Sequence, residues 1–441
     1  MFLLDFLAVS HAFPDFETTE PPSLADLEAL GTAQAHAALA LGKLDAALAW
    51  CPPDIHPIFA SRLIRETLIS ALRQEGHPFT DARFHAWFAG LIPLSDEPLQ
   101  FALAPRALAT TLLAEMTRSR WTPLADAALG LEKACLALRD PDSAAAVETA
   151  KAAIDEAAAL VAALEPAPLP FTALAALHRA IGQSPRFAPA ERTTDTIALA
   201  NRQVVIERPR PPSPRWAIEC AFGAHLQATG AHGAALPLNG LIRLDTVRAA
   251  DVDDNPAHAA IVQAEALRDV LEHLYSLVAK ARDTRQALAD RYRAKRANSR
   301  VPQLYGLLAS FGPLRSSQIE AVLGVTRLGV RKMLEALSEA GDLAIETVSG
   351  VKLYSVTRGR PSVPPPPWPT NRASFPARRS RTMMPPSPRS TPCWHAMTIS
   401  RTTRPENRQK FCPRKCPLQR QNGRRPAQTY GSDPKSRCTG F

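Results

Sequence analysis

Strand-forming composition is nearly absent between Ser23 and Ile181, and nowhere does this chain reach the roughly 18 consecutive apolar residues that a membrane-spanning helix needs. It has no Walker phosphate loop, no GxSxG elbow and no HExxH helix, which removes the motif-based routes to a nucleotide hydrolase, a serine hydrolase or a zinc peptidase. Cysteine is sparse. Only Cys51, Cys135 and Cys220 precede Pro361, each in an apolar helical context that suits a buried free thiol. Their wide spacing fits neither a disulfide framework nor a zinc site. Cys412 and Cys416 have the spacing of half a metal site but lack nearby histidines, so no metal is expected, and no cofactor or catalytic residue is expected either. Residues 1–13 are apolar but carry no Lys or Arg, and Asp15, Glu17 and Glu20 follow. A signal peptide is not expected, and a cytoplasmic protein with no membrane partner is.

The net charge of +10 is unevenly spread. From Pro361 onward there are 16 Lys/Arg and 2 Asp/Glu, leaving 36 of the 52 basic and 40 of the 42 acidic residues, a net of −4, to the rest of the chain. The high pI therefore belongs to the tail, and any case for nucleic acid rests on local features.

The chain divides by composition. Residues 1–22 read as a flexible lead-in ending in Pro21-Pro22. Residues 23–181 form a helical domain of six or seven helices, opened by Ser23 as N-cap with Asp26 in the position of a capping-box acid. Its breaks fall at Pro52-Pro53, Gly76-His77-Pro78, Pro93, Pro123, Pro141 and Pro166. Residues 182–214 are a Pro-rich linker in which 197–206 suits one short strand or hairpin arm. Residues 215–300 are helical and include a long periodic stretch, 256–298. Its apolar stripe is Leu267, Leu271, Leu274, Leu277, Val278, Ala281 and Leu288, with a break expected near 281–284. Residues 358–441 hold 16 of the 41 prolines and no apolar periodicity, which predicts disorder. So abrupt a change is what a frameshift or a read-through leaves; the alternative is a basic tail that adds non-specific DNA affinity. The expected fold is mainly α: a helical bundle, a long connecting helix, a C-terminal winged helix-turn-helix and a disordered tail.

That winged helix is expected over 301–357. Pro302 opens a first helix, which Gly312-Pro313 ends. Ser316 or Ser317 caps a short second helix. Gly324-Val325 makes the turn, and Thr326 caps a third helix whose inner stripe is Val330, Met333, Leu334 and Leu337. Two alternating strands follow, joined at Ser349-Gly350. The third helix turns Arg327, Leu328, Arg331, Lys332 and Glu335 outward. Cations on the N-terminal half of such a helix suit base edges and phosphates in a major groove, with Lys352 on the wing for the flanking backbone. A solvated charged face used for protein contact is the alternative. Just upstream, 280–300 carries eight Lys/Arg, among them Arg293, Lys295 and Arg296, against Asp283 and Asp290. Such a run neutralises phosphates or is an exposed helix end.

The string HPFTD at 77–81 resembles the opening of the Fic-family AMP-transfer motif, HPFxDGNGR. Here Ala82-Arg83-Phe84-His85 replaces the glycine-rich continuation, so no backbone nest for phosphate is implied. Gly76-His77-Pro78 then reads as a turn and Thr80 as the next cap.

A second resemblance rests on WAIECAFGAHLQATG at 216–230, ALPLNG at 235–240 and SALRQEG at 70–76 within 62–90. These strings resemble a rhizobial and wider alphaproteobacterial family, often plasmid-encoded, that joins a helical domain of unknown function to a C-terminal helix-turn-helix. The resemblance spans about 24–356, its motifs are diffuse, and it implies DNA binding with no established activity. The expectation is a transcriptional regulator that binds double-stranded DNA and has no enzymatic activity, its long helix either forming a homodimer or spacing the modules. A degenerate Fic-like enzyme and a protein-binding adaptor are the alternatives.

Overall fold

A computed structural model describes residues 23–357, except for 100, 139–142, 168, 190–193, 200–201, 208–211, 252–255 and 293–298. The expected lead-in, the tail with its four cysteines, and Arg293, Lys295 and Arg296 lie outside the described residues. Among the described residues the chain is mainly α, with thirteen α-helices, one 3-10 turn and two separate two-stranded antiparallel sheets. None of these helices is long and apolar enough to cross a membrane.

Helix α1 (Leu24–Ala49) starts where local chemistry dictates. The Asp26 amide donates to Ser23 Oγ and the Ser23 amide to Asp26 Oδ2, both at 3.2 Å. Its buried face, Ala33, Ala37, Ala40, Leu41, Leu44, Ala47 and Leu48, keeps helical spacing, and the small side chains bring a neighbour close. After the 3-10 turn Pro53–Ile55 come α2 (His56–Gln74), α3 (Asp81–Phe88), α4 (Pro105–Met116), α5 (Thr122–Ala134), α6 (Ser143–Ala162) and α7 (Pro170–Gln183). Thr80 caps α3 by accepting from the Arg83 amide at 3.3 Å. Pro105, Pro123 and Pro170 sit in first turns, where a missing N–H costs nothing.

The 182–214 segment holds two antiparallel strands, β1 (Thr194–Leu199) paired with β2 (Arg202–Glu207), where one short strand or hairpin arm was expected. Helix α8 (Arg215–Ala228) then returns to the core. A Cβ on Gly223 would stand 1.9 Å from the Leu236 carbonyl oxygen, so only glycine admits this backbone approach. A polar seam joins α8 to the end of α2. Trp216 Nε1 donates to Glu75 at 2.7 Å, and Gln74 Nε2 donates to Glu219 at 2.9 Å. Burial raises both carboxyls above the usual range, Glu219 to about 7.

Helix α9 (Leu244–Asp251) precedes α10 (Pro256–Tyr292), which at 37 residues is about 55 Å long. The break expected near 281–284 does not occur. No Gly or Pro follows Pro256 within α10, Ala281 is fully buried, and Thr284 bonds back to the Lys280 carbonyl. The apolar stripe of α10 is covered within the chain. Leu267, Leu271, Leu274, Leu277, Val278, Ala281 and Leu288 are buried, with α1 foremost among the elements that cover α10. With the stripe covered by α1, it offers no support for a homodimer through the long helix. Arg282 donates to the Ala47 carbonyl at 2.9 Å, and Arg285 Nε reaches both Asp54 oxygens at 2.7 and 2.6 Å.

Three further helices, α11 (Val301–Ser310), α12 (Ser316–Leu323) and α13 (Arg327–Glu339), lead to the hairpin β3 (Leu343–Val348) and β4 (Val351–Val356). Their buried residues Leu304, Phe311, Leu314, Ile319, Val330 and Leu337 belong to the same core cluster as Phe59, Phe84 and Phe88 of α2 and α3.

Candidate nucleic-acid interface

The interface is built on α13 and its hairpin. Gly324 ends α12 with φ +59°, a left-handed cap that lets the chain reverse within two residues. Thr326 then caps α13, accepting from the Gly329 amide at 3.3 Å. Val330, Met333, Leu334 and Leu337 face the core, which leaves Arg327, Leu328, Arg331, Lys332 and Glu335 exposed on the opposite side. Leu328 is 61% exposed. Arg331 Nε donates to Glu335 at 2.8 Å, a solvent-exposed pair one helical turn apart.

At the hairpin turn Ser349 (φ 48°) and Gly350 (φ 77°) both have positive φ, the pattern of a two-residue turn that matches strand twist. Lys352 is exposed on β4 and pairs in register with Thr347. The hairpin is tied back at Leu314, whose amide donates to the Tyr354 carbonyl at 3.1 Å while the Tyr354 amide donates to the Leu314 carbonyl at 2.8 Å.

The two serines are not caps. Helix α12 begins at Ser316, two residues before the expected start at Gln318, so Arg315 takes the cap position and its amide donates to Gln318 Oε1 at 3.0 Å. Ser316 and Ser317 stand in the first turn, and the Ser317 hydroxyl is buried with no hydrogen-bond partner.

Among the described residues of the basic approach, four cations have partners within the chain. Besides Arg282 and Arg285, Arg291 pairs with Asp342, and Arg300 Nη1 donates to the Leu323 carbonyl at 3.0 Å, satisfying the end of α12. These four cations hold the chain together.

Helix α12 has contacts that periodicity does not announce. Gln318 is buried, and its Nε2 donates to the carbonyls of Phe88 (3.1 Å) and Ala134 (2.8 Å), the ends of α3 and α5. Arg315 Nη1 donates to the Ala89 carbonyl at 3.4 Å. Gly312, at φ +112°, lies against His85, where a Cβ would fall 2.5 Å from the ring. His85 stands edge-on to Phe84 and Phe311; burial, helped by Arg65, pushes it down to about 3, so the ring is neutral. His77, which opens the Fic-like string, is buried too, with Nε2 2.8 Å from the Leu103 carbonyl oxygen. Among the described residues no group of three or more His, Cys, Asp or Glu could hold a metal ion.

Compared with known proteins, the chain matches no family and shows significant similarity to no curated protein.

Proposed function

We propose that residues 301–357 act as a winged helix-turn-helix and that the chain is a sequence-specific regulator binding double-stranded DNA. The observation that carries this reading is the exposed face of α13, where Arg327, Arg331 and Lys332 stand beyond a capped N-terminus while the opposite stripe is buried. In such a module the third helix enters the major groove and the second crosses the phosphate backbone. Here the first turn of α12 is docked on α3 and α5, so contact rests on α13 and on Lys352 of the hairpin. Arg331 would exchange Glu335 for a guanine edge or a phosphate at little cost, since exposed pairs contribute only about 0–1 kcal/mol. On this reading the protein works in the cytoplasm, without enzymatic activity, alongside the plasmid-borne family it resembles. The backbone bond of buried His77 supports a structural role for the Fic-like string.

The test is selection from a random duplex library with residues 1–358 at two salt concentrations. Omitting the tail matters, since its charge alone retains DNA. An enriched sequence that the R327A/R331A/K332A triple variant loses supports the proposal; no enrichment, or enrichment unchanged in that variant, sinks it. The second reading, a protein-binding adaptor, is favoured by Leu328, an apolar side chain left exposed among the cations. A protein that co-purifies without DNA and is lost in Leu328→Asp selects that reading.

A further inference from the structure

A cavity of about 700 Å³ opens where α2, α5 and α10 meet α11 and α12. That volume lies within the usual range of small-molecule sites. Its body is apolar, formed by Ile58, Leu288, Leu307, Val322 and Pro302 among others. Asp126 lines it and forms no ion pair or hydrogen bond among the described residues. His56 is held in place by donating through Nε2 to the Leu48 carbonyl at 3.2 Å. Arg285 of the lining is neutralised by Asp54, whose two oxygens it contacts. The Tyr292 hydroxyl is committed to Asp342. Among the described residues the lining thus carries one uncompensated negative charge, that of Asp126.

We propose that this cavity binds a small organic cation, an amine carried on an apolar ring system or branched chain. Ser61 and Gln303, also in the lining, supply further polar contact. The site goes beyond DNA binding, and its test uses no DNA, so either proposal can fail alone.

The probe is 2-(1-naphthyl)ethylamine, with 1-naphthylacetate as the charge-reversed control, titrated calorimetrically into the full chain. For a molecule of this size a dissociation constant near or below about 1 mM is expected. The acetate should bind at least about tenfold more weakly. Ala289 is an exposed lining residue, so Ala289→Trp fills the cavity from its rim and should abolish binding. Asp126→Asn should weaken the amine about threefold, as for an exposed charge pair, and leave the acetate no weaker. A circular dichroism spectrum matching the parent shows that each variant is folded; should Ala289→Trp fail this, Asp126→Asn carries the test. No saturable amine binding, undiminished amine binding in a folded Ala289→Trp, an acetate as tight as the amine, or an unchanged amine affinity in Asp126→Asn overturns the proposal.

Discussion

The Tyr292 hydroxyl donates to the Asp342 carboxylate at 2.8 Å, tying the last turn of α10 to the residue that precedes β3. Arg291 pairs with the other oxygen. The Asp342 amide donates to the Leu337 carbonyl at 3.0 Å, and its own carbonyl accepts from the Thr357 amide at 2.9 Å. One buried acid thus joins the long helix, the end of α13 and the base of the hairpin. Burial, reinforced by Asp342, pushes the Tyr292 phenol up, so it stays protonated as a donor. Asp342→Ala should destabilise the fold by about 2 kcal/mol, the range for hydrogen bonds to a charged group. Tyr292→Phe should cost about 1 kcal/mol. Because the two share one bond, the double variant should cost less than the sum in urea unfolding. Full additivity would show that the bond contributes nothing.

Stability should peak close to pH 6.5. His85 and His178 are buried, and burial lowers them from 6.5 to about 3 and about 4. The unfolded chain takes up those protons first, so their contribution is complete above pH 6.5 and declines as pH falls toward the folded values. Glu219 has the opposite sign. Burial raises it from 4.5 to about 7, so its contribution is complete below pH 4.5 and is lost as pH rises toward 7. Each group changes stability by up to about 1.4 kcal/mol per pH unit. Between pH 4.5 and 6.5 the lowered histidines, His225 and His232 besides His85 and His178, outnumber the two raised carboxyls, Glu219 and Glu75; above 6.5 only raised carboxyls still titrate, and stability falls. Glu219→Gln should steepen the acid limb and lessen the decline above pH 6.5. Denaturant midpoints measured across that interval check both, and an unchanged profile in the variant would falsify the assignment.

Gln318 should matter more to folding than its place in an eight-residue helix suggests. Its amide satisfies two buried carbonyls at once, Phe88 and Ala134. Gln318→Ala leaves both without their donor, at about 1–3 kcal/mol for each group left unsatisfied. Gln318→Glu should be worse, because a carboxylate would face two carbonyl oxygens in a dry setting. Thermal unfolding ranks the three proteins, and a Glu variant as stable as the parent would rule out the described seat for α12.

Much of the local structure was legible because it is written in local chemistry. Ser23 with Asp26, Thr80 and Thr326 are caps whose partners lie three residues away. Gly324 and the Ser349-Gly350 turn require backbone conformations that favour those residue types. The basic stretch was legible only as charge. Arg291, Arg285 and Arg282 find partners 51, 231 and 235 positions away, a relation that periodicity does not encode. The same limit explains Gln318, whose two acceptors lie on α3 and α5, and the stripe of α10, which α1 covers although any partner helix suits such a pattern. The candidate cations of α13 and Lys352 needed no distant partner to be exposed, so they stand where the helical and strand periods put them.

The exposed cations of the proposed interface should separate by role. Arg331 and Arg327 are one turn apart on α13, and a guanidinium can read guanine through two parallel bonds, whereas Lys352 on the hairpin is a point charge suited to phosphate. Arg331→Ala should therefore weaken the selected site by about 1–3 kcal/mol and relax preference at one base position. Lys352→Ala should weaken all duplexes alike and lower the slope of log affinity against log salt by about 1. Arg331→Ala removes only an exposed ion pair from the free protein, so its melting temperature should stay within about 1 °C, which separates loss of contact from loss of fold. Fluorescence anisotropy with matched and single-mismatch duplexes at several salt concentrations distinguishes the two. If Arg331→Ala shifts affinity equally on every sequence, Arg331 binds phosphate and base reading passes to Arg327. If neither variant changes affinity, α13 faces a partner other than DNA, and Leu328 at the centre of its exposed side is where to look for it.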